Sequence, residues 1–343
     1  MRRKLLIAAF VSALVLAAGG AGVAYLMFGR NSPVSEPRRT VMIPPDASFQ
    51  SILDSLDSAG VLKSRNLFAL AARLTGWGDQ IKAGHYNYSG DHSNFELLSV
   101  LRRGLQSPVR VTIPRGSRAE VIAEMAARNM AFDAETFLQA LGDSTLANEL
   151  GTNVQGMLGY MLPETYFFYW LTDAPTVIRR VKEEAERLVE AELAAAGSEL
   201  ETDVVLSIAS IVEWETDVTE EMPTVAGVYL NRLDRNWPLQ ADPTIQFALL
   251  DLEGEKRRLF VNDYSINHPY NTYHYTGLPP GPITNPSASS IRAVVRSEKH
   301  NFMFFVAKPG GGHAFNSTLS GHNRDARAYH RYMRDRRAQV QNR

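Results

Sequence analysis

The chain of 343 residues contains no cysteine, and this absence removes several kinds of site. Without thiols there is no disulfide, no thiolate nucleophile and no zinc–thiolate centre. An excess of charge of one sign is also lacking, because 36 Lys and Arg residues nearly balance 37 Asp and Glu residues. A net charge of −1 provides no general attraction to nucleic acid, so no nucleic-acid partner is expected.

Familiar catalytic and cofactor-binding motifs are missing as well. The chain has no His-Glu-x-x-His pair and no Gly-x-Ser-x-Gly nucleophile elbow, and the glycines at 310–312 lack the Lys-Ser/Thr of a phosphate loop. Its eight histidines are scattered, with none at a helical metal-ligand spacing. The sequence therefore predicts neither a metal ion nor an organic cofactor.

One long hydrophobic run is present, and it lies at the N-terminus. Three basic residues at positions 2–4 precede an uncharged run over residues 5–28, which would be about 36 Å long as a helix. A bilayer core is about 30 Å thick, so residues 1–30 are predicted to form a single-pass anchor. The preceding basic cluster predicts a cytoplasmic N-terminus and an extracytoplasmic body. The alternative is a cleaved signal peptide, since residues 17–24 are rich in Ala and Gly.

The rest of the chain divides by composition into a linker, a small domain and a larger domain. Residues 31–39 are rich in Ser and Pro, which is typical of a linker. Residues 40–105 predict strand, helix, helix, strand and helix in that order. Residues 106–335 predict a larger mixed domain, and residues 336–343 a charged tail. The expectation is an α+β fold behind one transmembrane helix.

Within the larger domain, predicted helices are followed by a long irregular region. Residues 119–196 are mostly helical in pattern, with an aromatic interruption at residues 156–170. Residues 200–233 predict two helices separated near Pro223, which suits the first turn of a helix. Residues 240–316 are rich in Pro, Gly, Asn and Tyr, and they are predicted to form loops.

Two glutamates are the strongest candidates for chemistry. The apolar run at residues 208–216 looks helical and contains Glu213 and Glu215. Apolar surroundings tend to raise the pKa of a carboxyl group, and a carboxylic acid protonated near neutral pH can act as a general acid. At about 100° per residue these two side chains do not share a face, whereas Asp217 shares the face of Glu213. Periodicity does not choose between the two glutamates, and an amphipathic helix with acids at its rim is an equally good interpretation.

The loops after this helix predict what the carboxyl groups would act on. They combine amides, hydroxyls, tyrosine rings and Pro-Gly turns without a large charge. Aromatic rings stack on the apolar faces of sugars and amides pair with sugar hydroxyls, whereas a phosphate-rich ligand would require more Arg and Lys. A neutral sugar polymer is therefore the favoured ligand.

These motifs together resemble a known family. Six segments occur in the order and at about the spacing of the endolytic murein transglycosylase family (MltG, YceG-like): residues 209–216, 231–233, 240–244, 270–273, 277–283 and 313–316. With the aromatic segment and the membrane anchor, the resemblance covers nearly the whole chain. The chain departs from the family pattern at Trp214, where a basic residue is common, and at Asp217, where a small residue is expected.

The resemblance implies a bacterial inner-membrane enzyme that cuts nascent peptidoglycan strands internally and helps to terminate their elongation, with a peptidoglycan synthase as an expected partner. It implies a lysin-motif-like domain over residues 40–105 and a YceG-like catalytic domain after it. The first acid of the family motif, which is Glu213 here, is the implied catalyst. The polar loops would then bind the glycan through Asn231, Gln240, Asp242, Asn271, Tyr273 and Asn316, although Asp242 before Pro243 could equally form a turn.

The implied chemistry needs one carboxyl group, whereas most glycosidases use two. Protonated Glu213 would donate to the glycosidic oxygen between MurNAc and GlcNAc and then take the proton of the C6 hydroxyl, which closes a 1,6-anhydro ring. Glu215 is the second choice as catalyst, but a structural role is preferred for it, since it could pair with Arg232 or a backbone amide. Two other functions stay open: a lysozyme-type hydrolase in which water attacks, and a membrane-anchored glycan-binding protein without activity.

Overall fold

The computed structural model describes residues 2–33 and 39–341, and it begins with the apolar helix that the sequence predicts. Helix α1 spans Arg2–Phe28 and is long and apolar enough to cross a membrane. Most of its large apolar side chains are exposed, whereas Leu26 near its end is buried. Residues 34–38 of the predicted linker and residues 342–343 of the predicted tail lie outside the described residues.

The described residues form two compact units. The first contains those up to Arg110 together with Phe167–Leu171, and the second contains Val111–Tyr166 and those from Thr172 onward. After α1, the elements of the first unit are β1 (Arg39–Ile43), α2 (Phe49–Ser58), α3 (Arg65–Thr75), β2 (Gly84–Tyr88) and α4 (Asn94–Arg103). Strands β1 and β2 pair antiparallel, with Val41 opposite Tyr86. The predicted order of strand, helix, helix, strand and helix is confirmed.

Capping residues explain where the helices of the first unit begin and end. The Ser48 and Ser64 side chains accept hydrogen bonds from the first turns of α2 and α3. Ser93 and Glu96 form a reciprocal capping box at the start of α4. Gly104 ends α4 with a φ of 66°, a left-handed conformation that glycine adopts without strain.

The helices of the first unit enclose an apolar core against the two-stranded β1–β2 sheet. Leu56, Phe68 and Leu98 are each 0% exposed within this core. We expect Leu56→Ala to reduce the free energy of unfolding by about 2–5 kcal/mol, because it removes buried apolar area and leaves a cavity. Chemical denaturation of the variant measures this loss.

A Leu→Ala substitution at an exposed position is the matched control for the Leu56 variant. Leu74 lies on α3 and is 62% exposed, so Leu74→Ala should change the unfolding free energy by less than about 0.5 kcal/mol. Equal losses in the Leu56 and Leu74 variants would contradict the position of this core.

The chain continues through the helices and strands of the larger part of the fold. These are β3 (Val109–Thr112), α5 (Ala119–Ala127), α6 (Ala134–Leu141), α7 (Ser144–Glu149), α8 (Val154–Met157), β4 (Thr165–Phe168), α9 (Ala174–Ala196), α10 (Thr202–Glu215), α11 (Met222–Asp234), α12 (Asp242–Glu253), α13 (Ala288–Val295), β5 (Phe304–Ala307), β6 (His313–Asn316) and α14 (Leu319–Gln341). Strand β3 pairs with β4, and β5 pairs antiparallel with β6. The helices outnumber the strands, in keeping with the expected α+β class.

Two sequence predictions for this region have different outcomes. The division into α10 and α11 is confirmed, with Pro223 in the first turn of α11. The prediction that residues 240–316 form loops is wrong in part, because α12, α13, β5 and β6 lie there. Helix α12 begins at Asp242 with Pro243 in its first turn, where the missing N–H costs no helical hydrogen bond, so Asp242 is a helix-starting residue and not a turn residue.

Helix α10 positions the candidate site, because it lies in the middle of the second unit. Its residues 205–213 are buried, and it packs against α9, α11, α12 and α13. The Pro-Gly loop before α13 is fixed to it, since the Ile283 amide donates to Ser210 Oγ at 3.0 Å. This packing holds the last turn of α10, and therefore both glutamates, beside the start of α13.

Candidate active site

Glu213 lies in the last turn of α10, and its carboxylate is enclosed by hydrogen-bond donors. Arg115 Nε donates to Oε1 at 2.7 Å. Oε2 accepts from the Ser287 amide at 3.0 Å, from Ser287 Oγ at 2.6 Å and from Ser290 Oγ at 2.5 Å. The side chain is only 1% exposed. The surroundings of this carboxylate are therefore polar, in contrast to the apolar setting that its sequence context indicates.

The donors on Oε2 come from the N-terminus of α13. Ser287 is the N-cap residue, and its Oγ accepts from the Ser290 amide at 3.3 Å. The first turn of a helix presents unpaired N–H groups and a partial positive charge, both of which favour an adjacent carboxylate. The same serine thus caps the helix and binds Glu213.

We expect Ser287→Ala to reduce the free energy of unfolding by about 1–2 kcal/mol, because it removes a helix cap together with one donor to a buried carboxylate. Urea denaturation measures the effect. Ser289 lies on the same helix and is exposed, so Ser289→Ala is the matched control and should stay within about 0.5 kcal/mol of the parent protein. Equal behaviour of the two variants would argue against the capping role.

Arg115 connects Glu213 to the exposed Asp217. Its guanidinium contacts Glu213 through Nε and Asp217 through Nη2, the latter at 3.4 Å. Helix α10 ends at Glu215, so Asp217 does not share a helical face with Glu213 as predicted. A cation lies between the two acids, and Asp217 is 97% exposed at its side chain.

Asn285 holds the loop that carries Arg115. Its Nδ2 donates to the carbonyls of Pro114 and Met161 at 2.8 and 2.7 Å, and its Oδ1 accepts from the Ser117 amide at 2.7 Å. The residue is 0% exposed. Because Asn285 also stands two positions before Ser287, one buried side chain positions both sets of donors around Glu213.

Glu215 occupies a different environment from Glu213. Its carboxyl accepts one hydrogen bond from Tyr229 Oη at 3.1 Å. Burial raises the pKa of Glu215 to about 7, and the negative charge of Asp242 acts in the same direction. The predicted pairing with Arg232 is wrong in that Arg232 donates to the backbone carbonyls of Leu239 and Met303, so its charge acts on Glu215 without a direct contact.

Two neighbouring cavities open at this end of α10. The smaller, about 320 Å³, is lined by both glutamates together with Arg115 and Lys256. The larger, about 450 Å³, is lined by Glu215, Lys256 and residues of α12, including Asp242. Glu213 and Glu215 therefore line one cavity although they occupy different helical faces, because α10 ends there and the cavity surrounds its last turn.

Trp214 and Lys256 form a stack that lines both cavities. The Lys256 ammonium lies 3.3 Å from the centre of the Trp214 ring, a cation–π arrangement. Trp214 Nε1 donates to the Gly116 carbonyl at 2.9 Å, which fixes the plane of the ring. The stack thus places the Lys256 ammonium directly over the Trp214 ring, beside the two glutamates of the last turn of α10.

Asp242 and Tyr273 are brought together beside the larger cavity. Tyr273 Oη donates to Asp242 Oδ1 at 2.6 Å, and Tyr264 Oη donates to Oδ2 at 3.3 Å. The two tyrosine rings meet edge to face at 4.7 Å. Two of the predicted substrate-binding residues therefore form one cluster, and Asp242 and Tyr264 line the cavity itself.

The other four predicted substrate-binding residues lie outside the linings of these two cavities. The Asn231 and Asn271 side chains donate to backbone carbonyls of nearby loops, at Phe302 and Ile266 among others. Gln240 binds the Thr272 carbonyl through its backbone amide, and Asn316 donates to Asp325 at 2.9 Å. The contacts of Asn231, Gln240 and Asn271 hold loops, and that of Asn316 joins the end of β6 to α14.

Several residues around the glutamates were not predicted from the sequence: Arg115, Tyr229, Lys256, Ser287 and Ser290. Only Ser287 carries a local signal, since a serine just before an apolar-periodic run is typical of a helix start. Among the described residues, no group of three or more His, Asp or Glu side chains is placed to hold a metal ion.

Comparison with known proteins identifies the family to which the chain is similar. The chain matches the model of the YceG-like family over residues 41–328. It is 28% identical over 328 residues to the endolytic murein transglycosylase of Bacillus subtilis (strain 168), with 88% of this chain and 89% of the relative covered. It is 30% identical over 298 residues to the endolytic murein transglycosylase of Streptococcus pneumoniae serotype 2 (strain D39), with 78% of this chain and 54% of the relative covered.

A solved structure has the same fold. The crystal structure of a yceG-like protein from Listeria monocytogenes aligns with a TM-score of 0.55 and 25% identity, covering 84% of this chain and 99% of that one. The family match extends over far more than half of the chain and includes both glutamates and all the residues around them. The chain belongs to the YceG-like family.

Proposed function

We propose that this protein is an endolytic lytic transglycosylase that cleaves MurNAc–GlcNAc β-1,4 bonds within peptidoglycan strands. The observation that carries the proposal is Glu213, an acid of the family motif that lines a cavity at the end of a buried helix. Two relatives named endolytic murein transglycosylases support the substrate and the class of reaction. The reaction is an elimination within the sugar, which makes the enzyme a lyase.

Glu213 is the proposed acid and base of this reaction. Protonated at one oxygen, it donates to the glycosidic oxygen and the C1–O bond breaks, which leaves an oxocarbenium-like sugar. The resulting carboxylate takes the proton of the C6 hydroxyl, whose oxygen bonds to C1 and closes the 1,6-anhydro ring. Ser287 and Ser290 position the carboxylate throughout, and Arg115 holds its other oxygen in the free protein.

The neighbouring larger cavity is the proposed binding site for adjoining sugars. Asp242 in this cavity and Tyr273 bonded to it provide a carboxylate and a hydroxyl for sugar hydroxyls, and the Trp214 ring provides a flat surface for sugar stacking. Asn231, Gln240, Asn271 and Asn316 are proposed to shape the cleft through the loops that they hold.

The first unit and α1 suggest where the enzyme works. We propose that α1 anchors the chain in the bacterial inner membrane with the N-terminus in the cytoplasm and the catalytic body outside. Residues 40–105 are the proposed lysin-motif-like glycan-binding domain, and residues 106–335 are the proposed catalytic domain. A membrane location would bring the enzyme close to nascent strands and their synthases, where cleavage would terminate elongation.

Product analysis on uncrosslinked glycan strands tests the function. We expect internal cleavage to give fragments with 1,6-anhydro-MurNAc ends, identified by mass spectrometry. Hydrolysis adds a water to each product and ring closure does not, so hydrated ends alone would indicate a lysozyme-type hydrolase. Binding of strands without cleavage would indicate a glycan-binding protein.

A further inference from the structure

Glu213 and Glu215 are two acids on one cavity with unlike surroundings. The Glu213 oxygens accept four hydrogen bonds, all from donors of Arg115, Ser287 and Ser290. The described donor to the Glu215 carboxyl is a single neutral hydroxyl, that of Tyr229. Acids placed in such different environments within one site commonly divide the proton-donating and proton-accepting roles.

We propose that the two side chains form a catalytic pair that shares one proton, which Glu215 holds in the free protein and Glu213 receives when a sugar strand enters the cavity. The proposal rests on the function proposed above, in which Glu213 reacts with the substrate. In the transfer, the O–H bond of Glu215 breaks and an O–H bond forms at Glu213 Oε1, while Glu215 becomes a carboxylate. After the C6 hydroxyl has returned a proton to Glu213, the proton passes back, so none is gained or lost over the cycle.

The contacts on Glu213 indicate which oxygen takes the proton. Oε2 is held by three donors at the start of α13, two of them from Ser287, and these belong to a buried helix terminus. Oε1 is held by Arg115 alone among the described contacts, and the Arg115 side chain is 56% exposed. An entering sugar can displace an exposed guanidinium more easily than a capped helix, which frees Oε1 for the proton.

The groups around Glu215 explain why it can hold a proton near neutral pH. Burial is the largest influence and raises its pKa to about 7. The charge of Asp242 acts in the same direction, whereas the Tyr229 hydrogen bond and the charge of Arg232 act against it. The other charged or titratable groups that line the two cavities or interact with Glu215 are Arg115, Asp217, Lys256, Arg258, Tyr264 and Tyr273.

The pH profile of kcat/KM for the full-length chain in detergent tests the pair. The free protein is active only while Glu215 holds the proton, so we expect kcat/KM to fall as pH rises through about 7. Glu215→Gln should lower kcat/KM below that pH by roughly 10- to 100-fold and remove this falling limb. Glu220→Gln, which changes an exposed acid nearby, is the matched control and should keep the parent profile.

Two further variants should move the falling limb of the kcat/KM profile in opposite directions along the pH axis. Tyr229→Phe removes a hydrogen bond that favours the ionised carboxyl, so the pKa of Glu215 should rise and the limb should move to higher pH. Asp242→Asn removes a negative charge, so the limb should move to lower pH. A side chain with a purely structural role would change the rate without these opposite shifts.

The outcomes separate this inference from the proposed function. The proposed pair would be wrong if the falling limb of the kcat/KM profile stayed at the same pH in all three variants, or if Glu215→Gln cleaved strands at the parent rate. Either result could occur while Glu213→Gln remained inactive, so the proposed function would be unaffected. Absence of anhydro products from the parent protein would overturn the proposed function itself. If Glu215→Gln failed to fold, the opposite shifts of the Tyr229 and Asp242 variants would still decide the question.

Discussion

Glu213→Gln is expected to abolish formation of anhydro products, with a loss of at least roughly 10²- to 10⁴-fold in rate. Glutamine cannot donate the proton that the glycosidic oxygen requires, nor accept one from the C6 hydroxyl. Its amide oxygen can still accept from Ser287 and Ser290, so the fold should be kept. Mass spectrometry of digested strands measures the product, and circular dichroism checks the folding of the variant.

The control for this substitution is Glu220→Gln, which neutralises an exposed acid a short distance along the chain. It should cleave strands at the parent rate. Near-normal anhydro product from well-folded Glu213→Gln protein would remove Glu213 as the reacting group, whatever the behaviour of its neighbours.

Asn285→Ala is expected to reduce the free energy of unfolding by roughly 3–5 kcal/mol, a large effect for one polar side chain. It would leave the Pro114 and Met161 carbonyls and the Ser117 amide without their partner in the interior. A fall of about 10 °C in the melting temperature of the second unit would correspond to this loss. Differential scanning calorimetry measures it.

Asn148→Ala is the matched control, because Asn148 lies exposed on α7 and alanine favours helix. This variant should melt within about 2 °C of the parent protein. Similar melting temperatures for the Asn285 and Asn148 variants would show that the loop carrying Arg115 is held by other contacts.

Helices with local signals at their ends could be predicted from the sequence. Ser93 with Glu96, and Gly104 beyond them, define α4 through contacts within a few residues. Helix α12 could not be recognised in the same way, because its Asp242-Pro243 start is also a turn signal. Its surroundings are rich in Pro and Gly, and tertiary packing of Ile245 and Leu249 decides in favour of helix.

The sequence predicts which segment carries the candidate site, but not which residues surround the two glutamates in space. Glu213 and Glu215 could be found from charge in an apolar helix, whereas their ranking depends on partners that are distant in sequence. Arg115 is separated from Glu213 by 98 positions and Ser287 by 74. No periodicity within α10 carries information about such contacts. The helical faces correctly separate the two glutamates, but they do not indicate that both side chains line one cavity at the end of the helix.

The stack of Trp214 and Lys256 has a consequence for how a long polymer would be held. Because both residues line both cavities, the stack lies where the two cavities adjoin. A strand that occupied both cavities would pass over this stack, with sugars bound on either side of the bond to be cut. A strand bound in this way would be cut within its length, at the point where it passes the Trp214 ring.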